Sequence, residues 1–210
     1  MTTIDELAIA DEPAAWAALG FAVDGDRCRI GAVTLRFAGR AAGRGIVAWS
    51  LRGDGGTAAL DGLPTARSAA RPPEAEPPAH PNGVEAIDHV VVVSPALDRT
   101  VAAFQAAGLD LRRIREQPTP AGAPRQAFFR LGAEVVEVVQ EPADVSERLG
   151  GAGRPAFFWG LALRCADLDA TVAGLGERSG PVRDAVQPGR RIASLRREAG
   201  LGLPVALMSG

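Results

Sequence analysis

Residues 87–109 read IDHVVVVSPALDRTVAAFQAAGL. A valine-rich run this short is the pattern of a buried strand. Ser94-Pro95 breaks the run as a turn. Beyond the break, Leu97, Val101 and Phe104 recur at i, i+4 and i+7, one face of an amphipathic helix, and Gly108 stands where such a helix ends. The stretch therefore reads as strand, turn and helix, with one imidazole, His89, set in an otherwise apolar strand.

The same plan occurs twice more. Near the start, IDELAIADEPAAWAALGF gives a strand from Ile4, a short helix carrying Trp16 and Leu19, and then Gly20. Later, FWGLALRCADLDATVAGLG repeats the i, i+4, i+7 stripe with Leu168, Val172 and Leu175, followed by Gly176. Strand-like segments follow each copy: RCRIGAVTLRFAG and GIVAWSLRG; LDLRRIRE, RQAFFRL and AEVVEVVQEP; RIASLRRE and LPVALMS. The unit is βαβββ, expected at about 4–52, 87–142 and 158–209. Between the first two copies, 53–83 gathers proline and glycine and loses periodicity, so it reads as a linker in which His80 is solvated. That divides the chain into an N-terminal degenerate module (1–52), a linker (53–83) and a two-module domain (84–210). Arg52-Gly53-Asp54 spells an adhesion tripeptide and is read as chance.

IDHVVVVSPALDRTVAAFQAAGL, VVEVVQEP and GLALRCADLDATVAGL together resemble the vicinal oxygen chelate superfamily, which includes glyoxalase I, methylmalonyl-CoA epimerase, extradiol dioxygenases and bleomycin-resistance proteins. The resemblance implies an α+β fold: paired βαβββ modules form one curved mixed sheet, a cup, with helices on its outer face. It also implies metal ligands on the first and last strands of each module. His89 and Glu137 match two of these positions, while Gly160 and Ala206 stand at the other two. In the N-terminal copy Glu6 occupies the His89 position, and Ala48 or Trp49 the closing one.

Strand alternation gives these residues a direction. His89 shares a face with Ile87 and Val91, opposite Val90 and Val92; Glu137 shares one with Val135 and Val139, and Glu134 falls on the other. His89 and Glu137 are thus the candidate catalytic pair, acting as metal-independent acid and base in isomerase or lyase chemistry. The same two residues are the candidate metal ligands, and with two of four positions lost no cofactor is expected, a divalent metal being the alternative. Glycine at 160 opens the cup, and Trp159, Gly160, Phe129, Arg164 and Arg191 are the expected substrate contacts, with Arg130 as further positive charge. Ligand sequestration without chemistry is the second reading, and a metal-dependent lyase or dioxygenase the third.

Composition narrows the partners. A chain of 210 residues, 47% hydrophobic and with formal net charge −2, advertises no nucleic acid or membrane partner. Every basic residue is arginine and tyrosine is absent, the bias of a GC-rich bacterial genome. Cys28 and Cys165 lie far apart without metal spacing and are expected to be buried thiols, with a disulfide as the alternative. Neither a signal peptide nor an apolar run of membrane-spanning length is present, so the expected location is cytoplasmic. The partner is a small organic molecule. Three modules leave one unpaired, which favours a symmetric homodimer over packing within one chain.

Overall fold

The computed structural model describes residues 1–53, 59–119 and 122–210. The stretch that opened the analysis forms β6 (Val84–Ser94) and α2 (Leu97–Ala106). Ser94 Oγ accepts from Ala96 N–H at 3.0 Å and meets Thr100 Oγ1 at 2.6 Å, which satisfies polar groups at the strand-to-helix joint. Leu97, Val101 and Phe104 are buried, and Gly108 follows the helix at φ +78°, where a side chain would be strained. The chain continues as β7 (Asp110–Arg115), β8 (Gln126–Leu131) and β9 (Glu134–Gln140), with β9 parallel to β6.

After α3 (Ala143–Arg148), the second module runs β10 (Phe157–Cys165), α4 (Leu168–Leu175), β11 (Arg183–Asp184), β12 (Arg191–Ser194) and β13 (Val205–Met208). Asp167 caps α4 by accepting from Ala170 N–H at 3.0 Å. β10 pairs antiparallel with β6 and so joins the modules into one eight-stranded sheet, β11-β12-β13-β10-β6-β9-β8-β7. The α+β class and the paired-module sheet are those that the resemblance implies.

The N-terminal copy departs from the plan. Its elements are β1 (Thr3–Ile9), α1 (Pro13–Ala17), β2 (Arg27–Ile30), β3 (Val33–Phe37), β4 (Ile46–Arg52) and β5 (Thr65–Ser68), in the order β2-β3-β1-β4-β5. β3 closes on β1 in parallel, while β4 crosses to the other side of β1 and pairs antiparallel. β5 then lies parallel to β4. These are the relations that β10 bears to β6 and β13 to β10. The five-stranded sheet is thus a shortened copy of the whole two-module sheet, and β4 opens a vestigial partner module. An unpaired first module was the premise of the homodimer argument, and the chain supplies that pairing itself.

The 53–83 stretch is more than a linker. Leu60 and Leu63 are buried and Thr65–Ser68 is a strand, while Asp54 and its neighbours to 58 lie outside the described residues. One cluster of buried apolar side chains runs through both sheets, from Ile4, Leu35 and Trp49 to Val90, Val92 and Leu161. Trp49 meets Phe158 of β10 edge-on, ring centroids 5.1 Å apart. Asp11, fully buried, accepts from Trp16 Nε1 at 3.2 Å and Gly202 N–H at 2.7 Å and ties the halves together. Cys28 and Cys165 are free and buried, and burial pushes the Cys28 thiol up to about 12.

His80, expected in solvent, is only 7% exposed. Its Nδ1 accepts from Ala22 N–H at 3.0 Å, and its ring stands edge-on to Phe21. A proline-rich composition signals the absence of regular structure, not the absence of burial. Burial lowers the His80 pKa from the usual 6.5, the neighbouring Arg29 backbone offsetting part of the shift. The folded state therefore favours the neutral ring, while the unfolded chain takes its proton as pH falls through about 6.5. Thermal unfolding should show stability lost between pH 7 and pH 5, with a shallower loss in His80→Gln; identical slopes would mean that the ring titrates unhindered.

Candidate functional site

The site begins at a break in strand pairing. Ile87 faces Leu163 across β6 and β10, but His89 faces Ala162, so Asp88 is an extra residue, a β-bulge. Alternation would send Asp88 and His89 to opposite faces. The bulge instead brings both to one cavity of about 240 Å³, bordered also by Phe128, Val135, Arg164 and Arg190. An identical shift occurs in the N-terminal sheet, where Ile4 faces Leu51, Glu6 faces Ser50, and Asp5 is the extra residue.

The polar groups form a chain. Arg190 Nη2 donates to Asp88 Oδ2 at 2.6 Å and to the Ser209 carbonyl at 2.7 Å. Asp88 Oδ1 meets His89 Nδ1 at 2.8 Å, and His89 Nε2 lies 3.3 Å from Glu137 Oε2. Gln126 Nε2 donates to the other Glu137 oxygen. The His89 and Glu137 side chains are each only 13% exposed, so these contacts are little screened. Burial pushes the Asp88 carboxyl up, but hydrogen bonds from His89 and Arg190 and the Arg190 charge outweigh it and hold Asp88 at about 2. An ionised Asp88 only accepts, so the proton of that bond sits on His89 Nδ1 and directs Nε2 toward Glu137.

The structure brings together His89, Glu137 and Arg164 as expected and places the other predicted contacts elsewhere. Phe129 is fully buried against Phe104 of α2, ring centroids 5.0 Å apart; its neighbour Phe128 borders the cup because it pairs in register with Glu137. Trp159 is the extra residue of a second bulge and is 53% exposed, outside the cavity. Gly160 opens no space, because a Cβ there would lie 2.5 Å from the Pro204 carbonyl oxygen. Arg191 pairs with Asp169 at 2.7 Å on the surface, and its predecessor Arg190 holds the site. Arg130 is exposed and donates to the Gly132 carbonyl. Sequence reasoning missed Asp88, Arg190, Phe128 and Gln126, and also Arg113, which borders the same cavity. The repeated Ile-Asp at 4–5 and 87–88 was the available signal for Asp88.

A larger cavity, about 380 Å³, lies between α4, 18–20 and 81–83. Its charged residues are occupied, Asp167 as the α4 cap and Arg178 as donor to the Ala18 and Leu175 carbonyls. It carries no free chemistry.

Residues 88–193 match the model of the Glyoxalase/Bleomycin resistance protein/Dioxygenase superfamily, half of the chain. The chain belongs to this superfamily. No protein of curated function matches it significantly. Among solved structures, methylmalonyl-CoA epimerase from Mycobacterium tuberculosis is 20% identical, covering 60% of this chain and 89% of its own, at a TM-score of 0.49. Streptomyces coelicolor methylmalonyl-CoA epimerase in complex with 2-nitronate-propionyl-CoA is 22% identical, covering 60% and 95%, at 0.48. A xylose isomerase-like TIM barrel/4-hydroxyphenylpyruvate dioxygenase fusion protein is 13% identical and covers 99% of this chain and 48% of its own, at 0.62. That last likeness extends over both sheets, so the whole chain has a precedent as a fold.

The superfamily's metal positions can be tested against the donors present. His89 Nε2 and the Glu137 carboxylate are available, but the facing wall carries Gly160, Ala162 and Ala206, with Ala162 paired to both His89 and Ala206. Among the described residues no group of three or more His, Cys, Asp or Glu side chains could hold a metal ion. A centre needing three or four protein donors does not fit this cup.

Two measurements check this geometry. Gly160→Ala should lower unfolding stability by about 1–3 kcal/mol, the usual cost of overpacking, in denaturant titrations; unchanged stability would restore the open-space reading. Asp88, depressed from 3.8 to about 2, stabilises the fold fully above about pH 4 and loses that contribution toward pH 2. The contribution is about 2 kcal/mol, and acid titrations of Asp88→Asn should show a shallower loss over that interval.

Proposed function

We propose that the cup binds a small organic molecule and moves a proton at a carbon beside a carbonyl, in isomerase or lyase chemistry without a metal. The observation that carries this reading is His89, with Nδ1 fixed by an ionised Asp88 and Nε2 set beside Glu137 in a cavity sized for a small ligand. A ligand in the cup meets Nε2 and the Glu137 carboxylate as adjacent proton acceptors. The proton leaves carbon for Nε2, the C–H electron pair moves onto the carbonyl oxygen as an enolate, and Asp88 stabilises the imidazolium that forms. Arg164 and Arg190, which border the same cavity, supply the positive charge that a metal would otherwise give the enolate. Proton return to the opposite face of the same carbon inverts its configuration, and loss of a β-substituent gives the lyase outcome.

The test is deuterium exchange in D₂O, followed by proton NMR, on a set of 2-oxo acids and acyl thioesters. His89→Gln should slow exchange by about 10²–10⁴-fold and Glu137→Gln should also reduce it. EDTA should leave the rate unchanged, and its abolition by EDTA would overturn the metal-free reading. Ligand binding without any exchange would make the protein a sequestering one.

A further inference from the structure

We infer that the cup takes an organic oxyanion, a carboxylate or phosphate carried on an apolar or aromatic segment, and that Arg113 holds its charged head. The inference rests on reading this cup as the ligand site, and it deepens that reading by naming the class of ligand.

Two flanks of the cavity carry arginine, and they differ. On the β10–β12 side, Arg190 is committed to Asp88 and the Ser209 carbonyl, while Arg164 faces Glu85 at 3.8 Å. On the β7–β8 side, Arg112 pairs with Asp110 at 3.2 Å, and Arg125 with both Glu116 at 2.7 Å and Asp98 at 3.0 Å. Arg113 makes no ion pair among the described residues, and unlike Arg115 and Arg130 it borders the cavity. Its guanidinium carbon instead lies 4.9 Å from the centroid of the Phe128 ring. Stacking orients the planar fork while leaving its N–H edges available, and a fork held this way suits the paired oxygens of a carboxylate or phosphate.

The rest of the cavity fits the same ligand. Three arginines border it, and Arg113 alone of them has no carboxylate partner among the described residues, since Arg190 pairs with Asp88 and Arg164 faces Glu85. Phe128, Val135, Ala133 and Ile87 give it apolar walls. β8 lies two strand positions from β6, about 10 Å backbone to backbone, with β9 between. A head gripped at Arg113 therefore lays its apolar segment over Phe128 and Val135 and delivers the far end to His89.

Calorimetric titration of the full chain with 3-phenylpropanoate, phenyl phosphate and 3-phenylpropanamide tests this. At least one oxyanion should bind about tenfold or more tightly than the neutral amide, and the stronger of the two identifies the head. Arg113→Ala, a change at an exposed position, should remove that preference while leaving amide binding and the unfolding midpoint unchanged. Equal affinity for acid and amide, undiminished oxyanion binding by Arg113→Ala, or no oxyanion binding by the unaltered protein would each overturn the proposal. Oxyanion binding that survives where no carbon acid exchanges its proton would defeat the acid–base reading alone and leave this site standing.

Discussion

The antiparallel pairing of β6 with β10 is the interaction on which the rest depends. Each module alone is a four-stranded sheet with one helix, and its first strand would be an open edge. Joining the two first strands removes both edges and makes one face continuous across eight strands. The join has a second consequence, because a perfect ladder would alternate every residue between core and cup. The extra residue at Asp88 interrupts the ladder, and that interruption places a carboxylate and an imidazole side by side on one face. Site and fold therefore share a single feature.

The N-terminal sheet shows what the bulge does without the imidazole. Asp5 occupies the extra position and pairs with Arg52, as Asp88 pairs with Arg190. Glu6 takes the place of His89, and Arg27 and Arg36 close on its two oxygens at 2.9 and 2.7 Å. Both of those arginines are more than one-third exposed, so the pairs add little stability. They do engage both Glu6 oxygens. The two sheets thus separate the geometry of the cup from its chemistry: the first keeps the backbone device and satisfies its charge internally, whereas the second sets His89 at the border of an open cavity.

Much of this was legible in the residues, and the failures have definite causes. Alternation placed His89 and Glu137 correctly because β9 is regular from Glu134 to Gln140 and pairs in unbroken register with β6. It missed Asp88 because Asp88 is the extra residue of a bulge, and a pattern of period two carries no mark of an insertion that shifts it. Choosing Phe129 over Phe128 needed the register between β8 and β9, a long-range fact. Arg191 and Arg190 differ by one position at the start of a short strand, where parity is decided by the register with its neighbours. The role of β4 was hidden for a different reason: strand order along the chain does not say on which side of β1 a strand will pair.

Gly160 carries the last step of the argument. As a vacated ligand position it would be a loss, the mark of a cup that once held more donors. The Pro204 carbonyl, 2.5 Å from where its Cβ would sit, gives the position a present function instead. Leu161 N–H donates to that same carbonyl at 3.0 Å, so the β13 side of the sheet closes tightly on β10 just beside the cavity. A histidine here would have to displace that backbone before it could reach the cup. The facing wall is therefore closed to a third donor by packing as well as by residue type, and the proton chemistry of the cup falls to the groups on β6 and β9.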